Sequence, residues 1–402
     1  MSPSRFIVWA VWLVASIFYA YQYILRVMPN IMFNDIMNQF QIDTTIFGQL
    51  SGVYYITYSL MHLPMGIMLD RFGPKKVMPI CTLLTVIGLT PIIFAENWIY
   101  PLLGRALIGM GSSAAILGLF KIIRMTFTEK YFTRMLSFSV TIGLIGAIYG
   151  GTPISYMCDV LGYKMVVTIM AFIGVALAIV TYLIVPEIAK TPKTAILSDV
   201  KEVLSEPRVI YLCLFAGFMV GPLEGFADVW GTEFLKNVYS FDNVVSSSLP
   251  SMIFIGMCFG GPILSLIAEK TGHYLATVIG AGFLMAICFF ILISGQMTPT
   301  IIGFSFILVG ICCAYQIIAI YKASTYVREG VVGLTTAVAN MIIMSFGYVF
   351  HTFIGLIINL MEDEGPSKSF VYGVGIIPIM LSIGVVGFVL LALKERMRLK
   401  KA

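Results

Sequence analysis

Apolar residues follow one another for twenty or more positions at a time, and polar residues gather between these runs. Twelve runs stand out, at 6–33, 46–69, 77–95, 99–123, 132–157, 164–185, 208–235, 244–267, 274–294, 298–322, 331–359 and 368–393. A helix rises ~1.5 Å per residue, so about 20 apolar residues cross a bilayer core. None of the runs alternates with the period of two that a barrel strand requires. The pattern predicts an all-α membrane protein of twelve transmembrane helices. The longest polar connection predicts two pseudo-symmetric six-helix halves, 1–185 and 208–402, joined by a cytoplasmic linker over 186–207. Within that linker "ILSDVKEVL" reads as a short surface helix.

Composition agrees: 59% of the 402 residues are hydrophobic and 11% charged, against about 25% charged in soluble domains. The net charge of +5 reports topology. With the N-terminus inside, the inner loops and span ends hold Arg5, Arg71, Lys75, Lys76, Lys121, Arg124, Lys130, Arg134, Lys190, Lys193, Lys201, Arg208, Lys270, Lys322, Arg328 and the tail from Lys394 to Lys401. The outer loops hold Lys164, Lys236 and Lys368. The positive-inside rule then places both termini in the cytoplasm. No nucleic-acid partner is implied. The seven cysteines fall in or beside apolar runs without metal-ligand spacing and read as small core hydrophobes. No P-loop, metal cluster or catalytic constellation emerges, so neither a cofactor nor an enzymatic activity is expected. The expected partners are the bilayer, a small-molecule substrate and protons, with the protein a monomer.

Two cations lie inside spans, Arg26 and Arg105. A charge at mid-membrane costs at least ~2.5 kcal/mol on insertion scales, so it is usually paired and functional. Tyr19, Gln22, Tyr23 and Arg26 recur at helical spacing and share a face. That face must look into protein or a wet cavity. On span seven, "VGPLEGFADVWG" carries Glu224 and Asp228 one turn apart, with Gly217 and Gly221 expected to leave room beside them. Adjacent carboxylates raise each other's proton affinity, which makes both candidates for proton coupling. Asn340, Met344, Gly347 and His351 share a face of span eleven, where His351 is read as the only histidine in the membrane and a third proton-coupling candidate. Tyr54, Tyr55, Tyr58, Trp230, Tyr315 and Gln316 are candidate pocket walls. Lys121 reads either as a snorkelling cation or as a second contact for an anion. Arg105 reads either as a gating residue or as a donor to span-one carbonyls.

Between spans two and three lies "GIMLDRFGPKK". Gly66, Asp70, Arg71, Gly73, Lys75 and Lys76 resemble the signature loop of the major facilitator superfamily. "SLIAEKTGHYL" is a degraded second copy, with Glu269, Lys270 and Gly272 aligned to Asp70, Arg71 and Gly73. The two copies lie about half the chain apart, as in two parallel halves. Gly66 and Gly73 are expected to allow close helix approach and a tight turn, and Asp70 with the nearby cations to form a gating latch. "GRALIGMGSS" resembles the family's arginine-plus-glycine pattern on span four. "GLIGAIYGGTP" departs from the exporters' proline-glycine signature, since Pro153 follows the glycines; this favours uptake. "YQYILRVMPNIM", "LFKIIRMTF" and "ANMIIMSFGYVFHTFIG" are similar to a bacterial nutrient-uptake branch common in intracellular pathogens.

The resemblance implies alternating access around a central site. In anion-transporting members an arginine on span one after a tyrosine grips the substrate. Arg26 matches that placement, although the aspartate that often precedes it is Leu25 here. The motif offset aligns Arg26 with Gly225, beside Glu224, so a cation in one half matches carboxylates in the other. The expected function is proton-coupled uptake of a small charged or zwitterionic metabolite, with amino acids or short peptides first. The alternatives are an organic-anion, sugar-phosphate or nucleoside transporter, or a siderophore or drug exporter.

Overall fold

The computed structural model describes residues 5–187, 196–328 and 331–399. Among the described residues every regular element is a helix. The linker cations Lys190 and Lys193 and the tail residues Lys400 and Lys401 lie outside them. Contacts divide the chain into two compact units, Met1–Lys193 and Thr194–Ala402.

The first unit holds α1 (Arg5–Ile31), α2 (Phe33–Phe40), α3 (Thr44–Phe72), α4 (Pro74–Phe94), α5 (Ile99–Thr126), α6 (Glu129–Tyr149), α7 (Thr152–Leu161) and α8 (Tyr163–Ile184). Local chemistry sets several boundaries. The Asp43 carboxylate accepts from Ile46 N at 2.8 Å and starts α3. Gly73, at φ +80°, turns the chain so that Pro74 opens α4. The predicted fifth span is broken at Gly150–Gly151, ahead of Pro153, into α6 and α7.

The second unit holds α9 (Ile196–Leu204), α10 (Pro207–Phe218), a π-helical stretch Gly221–Trp230, α11 (Gly231–Tyr239), α12 (Asn243–Ser248), α13 (Ser251–Thr271), α14 (Tyr274–Leu292), α15 (Pro299–Cys313), α16 (Tyr315–Ser324), α17 (Val332–Leu360), a short 3-10 turn Glu362–Glu364 and α18 (Pro366–Leu399). The helix expected at "ILSDVKEVL" is α9. It packs on α10 and α17 with Val203 buried. Arg328 donates from Nε to both Glu202 oxygens at 2.9 and 3.0 Å, and from Nη2 to Asp199 at 2.8 Å. The Glu202 bond holds the Arg328 pKa above its ordinary value.

The internal repeat is visible as packing. In the first unit α3 packs on α5, α1 on α6, and α4 on α8. In the second, α13 packs on α15, α10 on α17, and α14 on α18. These are equivalent span pairs: two with four, one with five and three with six, then eight with ten, seven with eleven and nine with twelve. Glycines set the closest crossings in both. A Cβ at Gly109 would collide with the Tyr54 carbonyl, and one at Gly310 with the Ile253 carbonyl. Gly310→Ala is therefore expected to destabilise the protein by about 1–3 kcal/mol, because backbone cannot move aside as a side chain can. Gly280→Ala, where an added Cβ meets nothing within 4 Å, is the control. Thermal unfolding of the two purified variants measures the difference.

Eleven helices among the described residues are long and apolar enough to span a membrane. α3 has 29 residues but is diluted by Tyr54, Tyr55, Tyr58 and His62. It completes the twelve spans. Two cysteines pack as small hydrophobes: Cys81 Sγ lies 3.7 Å from Met65 Sδ, and Cys313 Sγ 3.7 Å from Met285 Sδ.

Candidate functional site

The polar face of α1 meets the polar face of α3. Arg26 is buried, with its guanidinium 5.1 Å from the Tyr23 ring centroid and 5.0 Å from that of Tyr55. Cation–π contacts of this kind are each worth about 0.5–2 kcal/mol, so two rings hold the charge where lipid would not. Tyr54 donates to Gln22 Oε1 at 2.7 Å and stacks on Tyr58 at 5.7 Å. The Tyr19 and Tyr23 rings meet edge to face at 5.2 Å, with their hydroxyls 3.5 Å apart. α6 can close against this face because Gly143 and Gly146 lack a Cβ, which would strike the Tyr19 ring and the Ala20 carbonyl respectively. Six expected site residues, Tyr19, Gln22, Tyr23, Arg26, Tyr54 and Tyr58, are thus brought together, with Tyr55.

Arg105, read as a gating residue or a carbonyl donor, stands behind this cage. Its Nη1 donates to the Leu25 carbonyl at 2.7 Å, and its guanidinium lies 5.0 Å from the Tyr54 ring centroid. It fixes the backbone one residue before Arg26.

Lys121, named among the substrate contacts, is placed elsewhere. Its Nζ donates to Asp70 Oδ1 at 2.6 Å and to the Leu69 carbonyl at 2.9 Å. It therefore ties the end of α3 to α5, with Asp70 in the signature loop. Around that loop Arg71 lies over Phe72 at 5.3 Å, Lys75 over Tyr182 at 5.6 Å, and Lys76 pairs with Glu187 at 3.3 Å. Gly73 makes the expected turn. Gly66 does not make a close approach, since an added Cβ there meets nothing within 4 Å. In the second copy Glu269 and Lys270 are exposed at the end of α13, and Gly272, at φ +68°, caps it. Asp70→Asn is expected to slow turnover while leaving substrate affinity unchanged. A partly exposed pair is worth up to about 1 kcal/mol, or roughly fivefold in rate. Steady-state transport alongside equilibrium binding separates the two; normal turnover by the variant would remove the latch role.

In the second unit Glu224 and Asp228 lie on the π-helical stretch, all ten residues of which are buried. π-helical segments are rare and concentrate at functional sites. The expected room beside them is filled. A Cβ on Gly217 would strike the Phe346 ring, one on Gly221 the Phe350 ring, and one on Gly225 would crowd Phe350 Cβ at 3.2 Å. These glycines admit α17, leaving no gap. Trp230 is buried, 6.5 Å from the Phe370 ring. Tyr315, expected as a pocket wall, donates its hydroxyl to the Ala216 carbonyl at 2.6 Å and binds α16 to α10. Gln316 is buried, and its Nε2 has no hydrogen-bond partner among the described residues. Asn340 and His351 share α17 but stand eleven residues apart, roughly 16 Å along a helix.

Two groups escaped the sequence reading. His62 sits in α3, buried, with Nδ1 donating to the Tyr58 carbonyl at 2.9 Å, so His351 is not the only membrane histidine. Glu233 of α11 is a third buried carboxylate after Glu224 and Asp228, joined to Lys236 at 2.8 Å.

The sequence profile of the Major Facilitator Superfamily matches residues 11–352. No curated protein matches the chain. Among solved structures, a bacterial homologue of the human lysosomal transporter Spinster aligns at TM-score 0.75 and 18% identity, over 96% of this chain and 97% of that one. The nucleoside transporter NupG aligns at 0.77 and 15%, over 95% and 99%. A POT family transporter in complex with 5-aminolevulinic acid aligns at 0.72 and 13%, over 96% of each. At such identities the likeness concerns the fold. With the profile covering most of its length, the chain belongs to the Major Facilitator Superfamily and is a multi-pass membrane transporter.

Proposed function

We propose that the chain is a secondary active transporter that takes up a small charged or zwitterionic metabolite, an amino acid or short peptide first, together with protons by alternating access. One observation carries this reading: Arg26 is buried deep in a span inside a cage of tyrosines. A planar guanidinium presents a fork of donors that suits a carboxylate. Tyr19, Gln22, Tyr23, Tyr54 and Tyr58 orient it and add hydroxyl and amide groups. Glu224 takes the substrate's ammonium, and Glu224, Asp228 and His351 supply the proton-binding groups. Trp230, Gln316 and Asn340 contribute walls of the binding region. Asp70, Arg71 and Lys75, with Glu269 and Lys270 in the second copy, gate it. The protein works as a monomer in a bacterial inner membrane, with both termini in the cytoplasm.

A lipophilic-drug exporter has no use for a buried arginine, whereas 5-aminolevulinic acid, bound by one structural relative, carries both an amine and a carboxylate. The test is uptake into membrane vesicles across amino acids, short peptides, nucleosides, sugar phosphates and organic acids, with and without an inward proton gradient. Gradient-stimulated uptake of a zwitterion is the expected result. A preference for uncharged sugars or nucleosides would remove the zwitterion reading.

A further inference from the structure

A hydroxyl buried in a helix ordinarily bonds the carbonyl one turn back. Ser16 donates to the Trp12 carbonyl at 2.9 Å, Thr82 to that of Met78 at 2.9 Å, and Ser139 to that of Met135 at 2.8 Å. Ser51 of α3 departs from this rule. It is fully buried, and its Oγ has no hydrogen-bond partner among the described residues. An unsatisfied buried hydroxyl costs stability, so a position that keeps one calls for a reason.

Its neighbours on the helix supply one. Phe47, Ser51 and Tyr55 follow one another at four-residue intervals and so share a face. Both flanking rings reach across to the first helices. Phe47 meets Phe33 at 4.7 Å, and Tyr55 lies 5.0 Å from the Arg26 guanidinium. Ser51 therefore stands between two contacts, on the side of α3 that faces Arg26. Helical side chains lean over the turn that precedes them, so the Tyr55 ring leans towards Ser51, with the guanidinium against it. The Phe33 and Phe47 rings, both buried, close the opposite side with apolar surface.

We infer that Ser51 is a second donor to the carboxylate held at Arg26, and that it helps select carboxylate-bearing substrates over their amides. This rests on Arg26 as the anion anchor and names the group that works with it. A carboxylate has about four lone-pair sites, and a guanidinium fork takes two of them. The remaining sites suit a hydroxyl, whose hydrogen rotates to meet them. Ser51 is thus unsatisfied in the empty site and satisfied by substrate, so the stability it costs the free protein returns as affinity.

The test pairs thermal unfolding with equilibrium binding of alanine, trialanine and their C-terminal amides to the purified full-length protein. Ser51→Ala should bind the free acids about tenfold more weakly, the value of one hydrogen bond to a charged group. It should bind the amides almost as the wild type does, and unfold at the same or a higher temperature. Ser16→Ala, which removes a satisfied hydroxyl, should show the reverse: a lower unfolding temperature and unchanged affinity. Wild-type affinity in Ser51→Ala, or equal losses for acid and amide, would overturn the second donor. So would a loss of stability that accompanies the loss of affinity, since that marks a structural serine. In each of these cases a weakened Arg26→Lys leaves the anchor standing. If the wild type binds neither alanine nor trialanine, the zwitterion reading fails first and this inference with it.

Discussion

Arg26→Lys is expected to insert and fold normally yet bind substrate roughly thirty- to several-thousand-fold more weakly, a loss on the order of 2–5 kcal/mol. Lysine keeps the positive charge and can still sit against the Tyr23 and Tyr55 rings, which preserves much of what holds a cation in the span. It loses the planar fork, and with it bidentate contact to a carboxylate. The two roles open to Arg26 therefore separate. An ion pair that merely closes the protein tolerates lysine; an anchor does not. Arg26→Ala is a poorer test, because it also strips the tyrosines of their cation. Expression level, thermal unfolding and a binding isotherm on the lysine variant suffice. Wild-type affinity in a folded Arg26→Lys protein would end the anchor role.

Glu224→Gln is expected to abolish accumulation against a gradient while preserving exchange of substrate across the membrane. Glu224 and Asp228 are both buried, four residues apart on the π-helical stretch. In the proposed mechanism protonation and deprotonation of this pair are the coupling step, and an amide cannot perform it. The effect is large because the driving force is lost outright. Each pH unit across the membrane is worth about 1.4 kcal/mol per proton, or tenfold in accumulation. Counterflow of labelled substrate against unlabelled should continue in the variant, while net uptake stops at equality. Retained accumulation would move the coupling to another group, such as Asp228 or His351.

The parts legible in the sequence are those governed by local spacing. Tyr19, Gln22, Tyr23 and Arg26 form one face on any α-helix, and α1 is a helix throughout. The turn at Gly73 follows from a glycine ahead of a proline. Other features needed the three-dimensional neighbours. No helical pattern announces that Gly221–Trp230 winds as a π-helix, because periodicity arguments assume 3.6 residues per turn. Gly217 and Gly221 promise space, but the rings that fill it come from Phe346 and Phe350, more than a hundred residues later. Near the inner end of span four, Lys121 reads from sequence as a snorkelling cation or a second anion contact, yet the end of α3 brings Asp70 within 2.6 Å of it. Tyr315 lies on a pocket-like face, but its hydroxyl is taken by the Ala216 carbonyl. His62 was there to be found. It sits one turn after Tyr58 on the same helix face, at a spacing as plain as that of the tyrosines.

In the proposed mechanism this superfamily member couples protons to uptake of a zwitterion held at Arg26. The most direct measurement uses proteoliposomes of the purified protein with an alkaline interior, loaded with labelled alanine or trialanine from outside. Internal label should exceed the external concentration, by up to about tenfold per pH unit for each coupled proton. It should fall to equality on adding an uncoupler, and Arg26→Lys should show no such accumulation at the same substrate concentration. Equal internal label with and without the proton gradient, or equal accumulation by wild type and Arg26→Lys, would rule out proton-coupled uptake anchored at Arg26.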